Sequence, residues 1–185
     1  ARSPCPSQAD GTTKQSFCLA PPGGGHFAAI IFDMGGTLLE FENVPWDALY
    51  PSSVHSLHNW LMRRKKTVPP YDAFLDRFVE LLERRRARIR AEMREYQITP
   101  LVRELVAGFK ITLKGGELSA AVDAYYASIR RQVTVFPEAK GTLARLKELG
   151  YTLGLLSNTP FRVKDHRQEL EHFGLWPYFD AAIFT

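Results

Sequence analysis

Apolar residues follow two different periods along the chain, and each period predicts a different kind of element. Three short, almost wholly apolar runs predict β-strands: FAAIIF at 27–32, YTLGLL at 151–156 and FDAAIF at 179–184. The first run suits a central strand of a parallel sheet, buried on both faces. From Pro45 to about Gln132 the apolar residues instead recur at helical spacing. The pattern therefore predicts strands towards both ends of the chain and helices between them.

Within the helical middle, one long helix is expected to end near residues 97–99. Thr99 and Pro100 then predict the N-cap and first position of the next helix, where proline is tolerated. Ser119 predicts the cap of a further helix over 120–131. The apolar face of the long helix comprises Tyr71, Phe74, Leu75, Phe78, Leu82, Ile89 and Met93.

After residue 133 helices and strands alternate, with helices predicted over 137–149 and 162–173. This alternation implies parallel strands joined by right-handed crossovers. The predicted fold class is therefore α/β, a Rossmann-like parallel-sheet core with an inserted α-helical unit. The expected organisation is a tail at 1–26, a core formed by 27–42 and 133–185, and a helical insert at 43–132.

Residues 1–26 are predicted to form a disordered tail, since they end in PPGGG and lack the apolar segment of a secretion signal. Both cysteines of the chain, Cys5 and Cys18, lie in this tail. Their positions fit neither metal-ligand spacing nor a disulfide framework. We therefore expect a reducing, cytoplasmic setting.

The composition is that of an ordinary globular domain, with 45% apolar and 24% charged residues among 185. No window approaches the roughly 18 consecutive apolar residues of a membrane span. The net charge is only +4, although arginines cluster at 84–90. That cluster predicts a solvated helix face, with an anion-attracting surface as the alternative. No nucleic-acid module accompanies it, so nucleic acid is not an expected partner.

Polar residues directly follow two of the predicted strands: Asp33 the first and Ser157 the second. The carboxyl ends of parallel strands share one edge of a sheet, and ligands bind there. Gly35 and Gly36 allow a sharp turn close to an anion. A carboxylate can hold a divalent cation or attack an electrophile, and Ser157 and Asn158 can donate hydrogen bonds to anionic oxygens. Each motif alone fits a simple turn, whereas the two together indicate an anion site.

Both motifs are similar to those of one enzyme family. AAIIFDMGGTLLEF resembles the first motif of the haloacid dehalogenase-like hydrolases, and LGLLSNT resembles their second. The flanking segments VFPEAKGTLARLKELGY and HFGLWPYFDAAIFT are also similar to the family, and the helical insert lies where many members carry a cap over the active site. The resemblance implies a Mg²⁺-dependent hydrolase, foremost a phosphatase for a small phosphorylated metabolite.

By this resemblance Asp33 is the catalytic nucleophile, which takes the phosphoryl group as an aspartyl-phosphate. Mg²⁺ would be held by Asp33 and the main-chain carbonyl of Gly35. Ser157 would hydrogen-bond the transferring phosphoryl group, in chemistry that depends on positioning and neutralised oxygens. The residues expected to bind phosphate are Gly36, Thr37, Ser157 and Asn158.

Gly35 departs from the family pattern. The phosphatases of the family usually carry an aspartate two residues after the nucleophile, which acts as acid and then base. Such help is typically worth about 10² to 10⁴ in rate, so alkyl phosphates should be the poorest substrates. Glu40 or Glu42 could substitute, although both are expected on the surface. Family members that cleave carbon–halogen bonds also lack this aspartate, so a 2-haloacid dehalogenase is a minor alternative.

The chain ends at Thr185, before the region of the family's third motif, a lysine, and fourth motif, acidic metal ligands. Lys164 follows Ser157 by only seven positions, too early for the third motif, and is expected to be exposed on a helix. We therefore expect a fragment that is inactive alone, with a natively truncated protein as the alternative. A sheet of three strands would leave one face under-covered.

Two function classes stay open at this stage. One is the Mg²⁺-dependent hydrolase, and the other is a binding or regulatory protein that keeps the fold without turnover. The five histidines form no evident constellation, although His55 and His58 share a helical face by spacing. The sequence identifies neither the substrate nor the oligomeric state.

Overall fold

The computed structural model describes residues 28–92 and 96–185, and side chains within them except at 88–92. The predicted tail at 1–26 lies outside the described residues. None of the helices in the described ranges combines the length and apolar character that a bilayer span requires. In chain order the elements are β1 (Ala29–Phe32), β2 (Leu39–Glu40), α1 (Trp46–Arg63), α2 (Tyr71–Glu92), α3 (Ile98–Gly108), α4 (Glu117–Arg130), β3 (Thr134–Val135), α5 (Ala139–Glu148), β4 (Thr152–Ser157), α6 (Val163–His172), a 3₁₀ turn (Trp176–Tyr178) and β5 (Ala181–Phe184).

Three strands form a parallel sheet in the order β1-β4-β5. Phe32 of β1 pairs with Leu155 of β4, and Ser157 of β4 pairs with Phe184 of β5. The predicted α/β class with a parallel sheet is thereby confirmed. The central position predicted for the first strand is wrong, because among the described residues β4 lies between the other two. A separate antiparallel pair, β2 with β3, was not predicted.

One face of this sheet carries exposed apolar side chains. Ile31, Leu156 and Ile183 are 69%, 47% and 59% exposed, one on each strand. Along β4, Leu153 and Leu155 lie on the opposite face from Leu156 and are buried in the hydrophobic core. The first strand is therefore not buried on both faces as predicted, because among residues 28–92 and 96–185 the core packs against the opposite face only.

Helices α1 to α4 pack together as one helical layer, with α1 against α2 and α4, and α3 against the same two helices. The apolar face predicted for α2 points into this layer, since Phe74, Phe78 and Leu82 are buried. Ile89 and Met93, predicted on the same face, lie outside the described side chains. Burial of one apolar face per helix is what gives each of these amphipathic segments a stable position.

Two predicted helix starts are displaced in the structure. α3 begins at Ile98, so Thr99–Pro100 lies within its first turn, where a missing backbone N–H removes no intrahelical bond. α4 begins at Glu117, two residues before the predicted cap. The hydroxyl of Ser119 does not cap this helix, and instead accepts a hydrogen bond from Arg162. Contacts between distant segments therefore replaced the local capping that the sequence favoured.

The arginine cluster of α2 pairs with glutamates on the surface. Arg85 contacts Glu104 at 2.7 Å and Arg86 contacts Glu83 at 2.8 Å. These pairs agree with the interpretation of the described part of the cluster as a solvated helix face.

The Asp180 side chain, just before β5, binds residues of α5 and β4. Its carboxylate accepts hydrogen bonds from the Lys147 ammonium at 2.8 Å and the Leu153 backbone N–H at 2.8 Å, which hold the pKa of Asp180 below its usual range. A lowered pKa in the folded state means that this stabilisation is complete above the unfolded value, about 3.9, and is lost as the pH falls through the folded value.

We therefore expect Asp180→Asn to lower the free energy of unfolding at about pH 6, and to lower it less at an acidic pH below the unfolded value of about 3.9. Urea titrations at the two pH values measure this difference. Asp76→Asn, at an exposed position beyond the first turn of α2, is the control. An equal loss of stability at both pH values would contradict the role assigned to the Asp180 charge.

Candidate active site

Asp33 and Ser157 lie at the same edge of the sheet. The pairing of Phe32 with Leu155 brings Asp33 level with Leu156, one residue before Ser157 on the neighbouring strand. Adjacent strands are about 4.8 Å apart, so the two side chains belong to one local site. Asp33 is exposed, whereas Ser157 is only 3% exposed. The edge thus presents an accessible carboxylate beside a buried hydroxyl.

The loop after Asp33 is a tight turn fixed by backbone hydrogen bonds. The Met34 carbonyl accepts from the N–H groups of Leu38 and Leu39 at 2.9 and 3.0 Å. Gly36 has φ +69°, a left-handed conformation that favours glycine. The Met34 N–H also donates to Asp33 Oδ1 at 2.7 Å, which orients the carboxylate.

Gly35, in contrast, is not required by its own backbone. Its φ is not among the positive values of the chain, and a Cβ atom there would meet Phe41 at 3.7 Å, an ordinary contact. Nothing in the local structure therefore explains why a residue without a side chain occupies this position.

A cavity of about 450 Å³ opens at this edge, and we call it the strand-end cavity. Its volume lies in the range of small-molecule sites. Of the predicted site residues it brings together Asp33, Gly35, Gly36, Ser157 and Asn158. Thr37 is not part of this lining and instead borders a separate depression. The other lining residues are Met34, Glu40, Phe41, Glu42, Trp46, Thr159, Pro160, Phe161 and His166.

Three aromatic side chains, Phe41, Trp46 and Phe161, form part of this lining, which we call the aromatic wall. Trp46 stacks on Phe161 with ring centroids 6.3 Å apart and planes 26° from parallel. Phe41 and Phe161 are buried, while Trp46 is half-buried. The indole N–H of Trp46 donates to Glu42 Oε1 at 3.2 Å, and the Glu42 backbone N–H donates to Glu40 Oε1 at 2.7 Å.

A buried chain of hydrogen bonds runs from the cavity into the helical layer. His166 is 2% exposed and contacts Thr159 Oγ1 through Nε2 and Glu169 Oε2 through Nδ1, the latter at 3.0 Å. The Tyr126 hydroxyl of α4 donates to the other oxygen of Glu169. Burial, together with this carboxylate, raises the pKa of Tyr126 well above its usual range. These hydrogen bonds connect the loop after β4 to α4.

This role of His166 is not predicted by the sequence, in which the five histidines form no evident constellation. The only local signal is the three-residue spacing of His166 and Glu169 on one helix. His55 and His58, which share a helical face, do not line the cavity. His58 instead bonds the Pro69 carbonyl at 2.8 Å, and His55 packs edge-on against Tyr71.

Further contacts tie the loop after Ser157 to the helical layer. The Ile98 N–H at the start of α3 donates to the Pro160 carbonyl at 2.8 Å, and the Gln97 side chain donates to the Thr159 carbonyl at 3.0 Å. Lys164, predicted to be exposed and outside the site, is 47% exposed and binds Asp123 and Ser119 of α4 at 3.1 Å.

Oxygen donors for a metal ion are present at the strand-end cavity. Among the described residues, no group of three or more His, Cys, Asp or Glu side chains could hold a metal by itself. A Mg²⁺ ion here would depend on the Asp33 carboxylate and the Gly35 carbonyl, both from residues that line the cavity. This donor set fits Mg²⁺, which prefers oxygen ligands and takes one or two carboxylates together with water and substrate oxygens.

A family model described as a haloacid dehalogenase-like hydrolase matches residues 27–185. Among solved structures, a HAD phosphatase from Thermococcus onnurineus is 26% identical, with 85% of this chain and 62% of that chain covered and a TM-score of 0.48. A haloacid dehalogenase-like family hydrolase from Xanthomonas campestris is 16% identical, with 90% and 65% covered and a TM-score of 0.49. This chain spans less than two thirds of the length of either structure. No curated protein matches it.

Proposed function

Since the chain belongs to the haloacid dehalogenase-like hydrolases, we propose that it forms the site of a Mg²⁺-dependent phosphatase for small phosphorylated molecules. The observation that carries this proposal is the placement of Asp33 and Ser157 on adjacent strand ends, in one cavity. An exposed carboxylate beside hydrogen-bond donors is the arrangement that nucleophilic phosphoryl transfer requires.

In the proposed reaction the Asp33 carboxylate attacks phosphorus, and the bond from phosphorus to the leaving-group oxygen breaks. The Ser157 hydroxyl and the Asn158 amide donate hydrogen bonds to the phosphoryl oxygens. A bound Mg²⁺ would neutralise charge on those oxygens. Water then attacks the phosphorus of the aspartyl-phosphate, which releases inorganic phosphate and restores the Asp33 carboxylate.

Beryllofluoride, an analogue of the phosphoryl group on a carboxylate, tests this site without needing turnover. We expect it to bind in the presence of Mg²⁺, to be released by a chelator, and to bind at least about tenfold more weakly to Ser157→Ala, because a hydrogen bond to a charged group is lost. Fluorine NMR measures binding, and Ser56→Ala on α1 is the matched control. Absence of binding to the unsubstituted protein would refute the phosphoryl site.

Turnover separates the phosphatase from a binding protein with the same fold. Mg²⁺-dependent release of inorganic phosphate from a small phosphate ester supports the phosphatase. Beryllofluoride binding without any such release would favour the binding or regulatory class, to which the side-chain-free Gly35 lends support. Halide release from a 2-haloacid, without phosphate release, would instead identify a dehalogenase.

A further inference from the structure

We propose that the strand-end cavity selects aryl phosphates, esters whose leaving group is a neutral phenol that packs against the aromatic wall. This inference rests on the proposed function, because it assigns the substrate class of the same site. Two independent observations support it: the composition of the wall and the engagement of every ionisable side chain beside it.

The wall offers a leaving group flat apolar surface. Phe41, Trp46 and Phe161 line the same cavity as Asp33 and Ser157, so a phosphoryl group held at the strand ends places its ester substituent in their reach. Aromatic rings pack against one another in offset or edge-on arrangements, which an aliphatic alcohol cannot reproduce. Trp46 is the half-buried residue of the wall. It stacks on both Phe161 and Tyr50, and the part of its side chain that lines the cavity is available to a ligand ring.

The ionisable side chains beside the wall, Glu40, Glu42 and His166, form hydrogen bonds within the protein. Glu42 accepts the Trp46 indole N–H through Oε1, and Glu40 accepts the Glu42 backbone N–H through Oε1. His166 uses both ring nitrogens, towards Thr159 and Glu169. Each of these three side chains is therefore already bonded to a protein group, and Gly35, two residues after Asp33, has no side chain that could give a proton.

A phenol is a leaving group that can depart from phosphorus without a proton donor beside it. Phenols have a pKa of about 10, whereas the pKa of an alkyl alcohol is close to that of water, about 15.7. When the bond from phosphorus to oxygen breaks, a phenolate keeps the electron pair and is protonated later by solvent. An alkoxide would need a proton during bond cleavage, so alkyl esters should react more slowly.

The charge of the cavity lining further restricts the class of leaving group that we expect. The carboxylates beside the wall belong to Glu40 and Glu42, and among the described lining residues there is no lysine or arginine. A leaving group that carries its own carboxylate or second phosphate would meet like charge there. Neutral phenols therefore fit better than anionic ones.

Non-hydrolysable phosphonates test the selectivity without relying on turnover. With Mg²⁺ present, we expect phenylphosphonate to bind at least about tenfold more tightly than methylphosphonate, measured by competition with beryllofluoride. Trp46→Ala should bring the two affinities within about threefold while keeping beryllofluoride binding, and Trp46→Phe should retain most of the preference. Trp60→Ala, on the same helix but outside the cavity, is the matched control.

The outcomes distinguish the two proposals. If beryllofluoride binds and the two phosphonates bind equally, the aryl selectivity is overturned while the phosphoryl site stands. If beryllofluoride does not bind, the proposed function fails and the selectivity with it. If Trp46→Ala and Trp60→Ala reduce the preference alike, the aromatic wall is not its source and the inference is overturned.

Discussion

Asp33→Asn should lower kcat for phosphate-ester hydrolysis by more than about 10³-fold, because removal of a nucleophile abolishes the covalent route. The amide of asparagine keeps the shape of the side chain but is a far weaker nucleophile than a carboxylate. Asp33 is exposed, and its side chain accepts a hydrogen bond from the neighbouring Met34 N–H. The substitution should therefore leave the melting temperature almost unchanged.

Steady-state kinetics and thermal unfolding of the same preparations measure both effects. Asp47→Asn is the matched control, since this exposed aspartate lies outside the cavity and should leave kcat unchanged. Hydrolysis by Asp33→Asn at the rate of the unsubstituted protein would show that another group attacks phosphorus. If Asp33→Asn is both inactive and unfolded, the experiment is repeated with Asp33→Ala, because only loss of activity in a folded variant supports the assignment.

Arg162→Ala should cost about 3–5 kcal/mol of stability, because it leaves a buried carboxylate without its main partner. Arg162 binds both oxygens of Asp165, at 2.7 and 2.8 Å, and its guanidinium also contacts Asp123 at 2.6 Å. Asp165 is fully buried, and its other cationic partner, Arg130, is 3.5 Å away. For a chain of this size the melting temperature should fall by on the order of 10 °C.

Two variants separate the loss of the ion pair from a general disturbance of the surface. Lys164→Ala removes a half-exposed ammonium that also binds Asp123, and should cost less than about 1 kcal/mol. The double substitution Arg162→Met with Asp165→Leu should recover much of the loss, since no charge is then left buried and unpaired. Urea unfolding of the unsubstituted protein and the three variants measures these losses, and equal losses for Arg162→Ala and Lys164→Ala would refute this account.

The position of Asp33 beside Ser157 could be predicted because it follows from two local signals and one general rule. Each residue ends an apolar run, and parallel strands present their carboxyl ends at a common edge. The order of strands was not predictable in the same way, since Phe27 to Phe32 has the composition of a buried central strand. Composition describes what a strand could bury, whereas its place in the sheet depends on which neighbours pair with it.

The buried chain from Thr159 to Tyr126 shows the limit of local patterns. Tyr126 belongs to α4, and its hydroxyl reaches Glu169 only because α6 packs nearby. No spacing between residues 126 and 169 encodes that contact. The displaced start of α4 has the same origin, because Ser119 bonds Arg162 and not its own helix. The helical periodicity therefore predicted which helix faces are buried, but it did not predict the polar contacts between elements.

The contacts between the helical layer and the segment after Ser157 restrict how the sequence can diverge during evolution. The Arg162 guanidinium pairs with the Asp123 carboxylate, and the Tyr126 hydroxyl pairs with the Glu169 carboxylate, across stretches of about 40 positions. A substitution on one side alone leaves its counterpart without a match, so paired changes are the accessible route of divergence. The two parts should then be inherited as a matched set, and a helical layer exchanged between relatives would have to bring its own version of the loop.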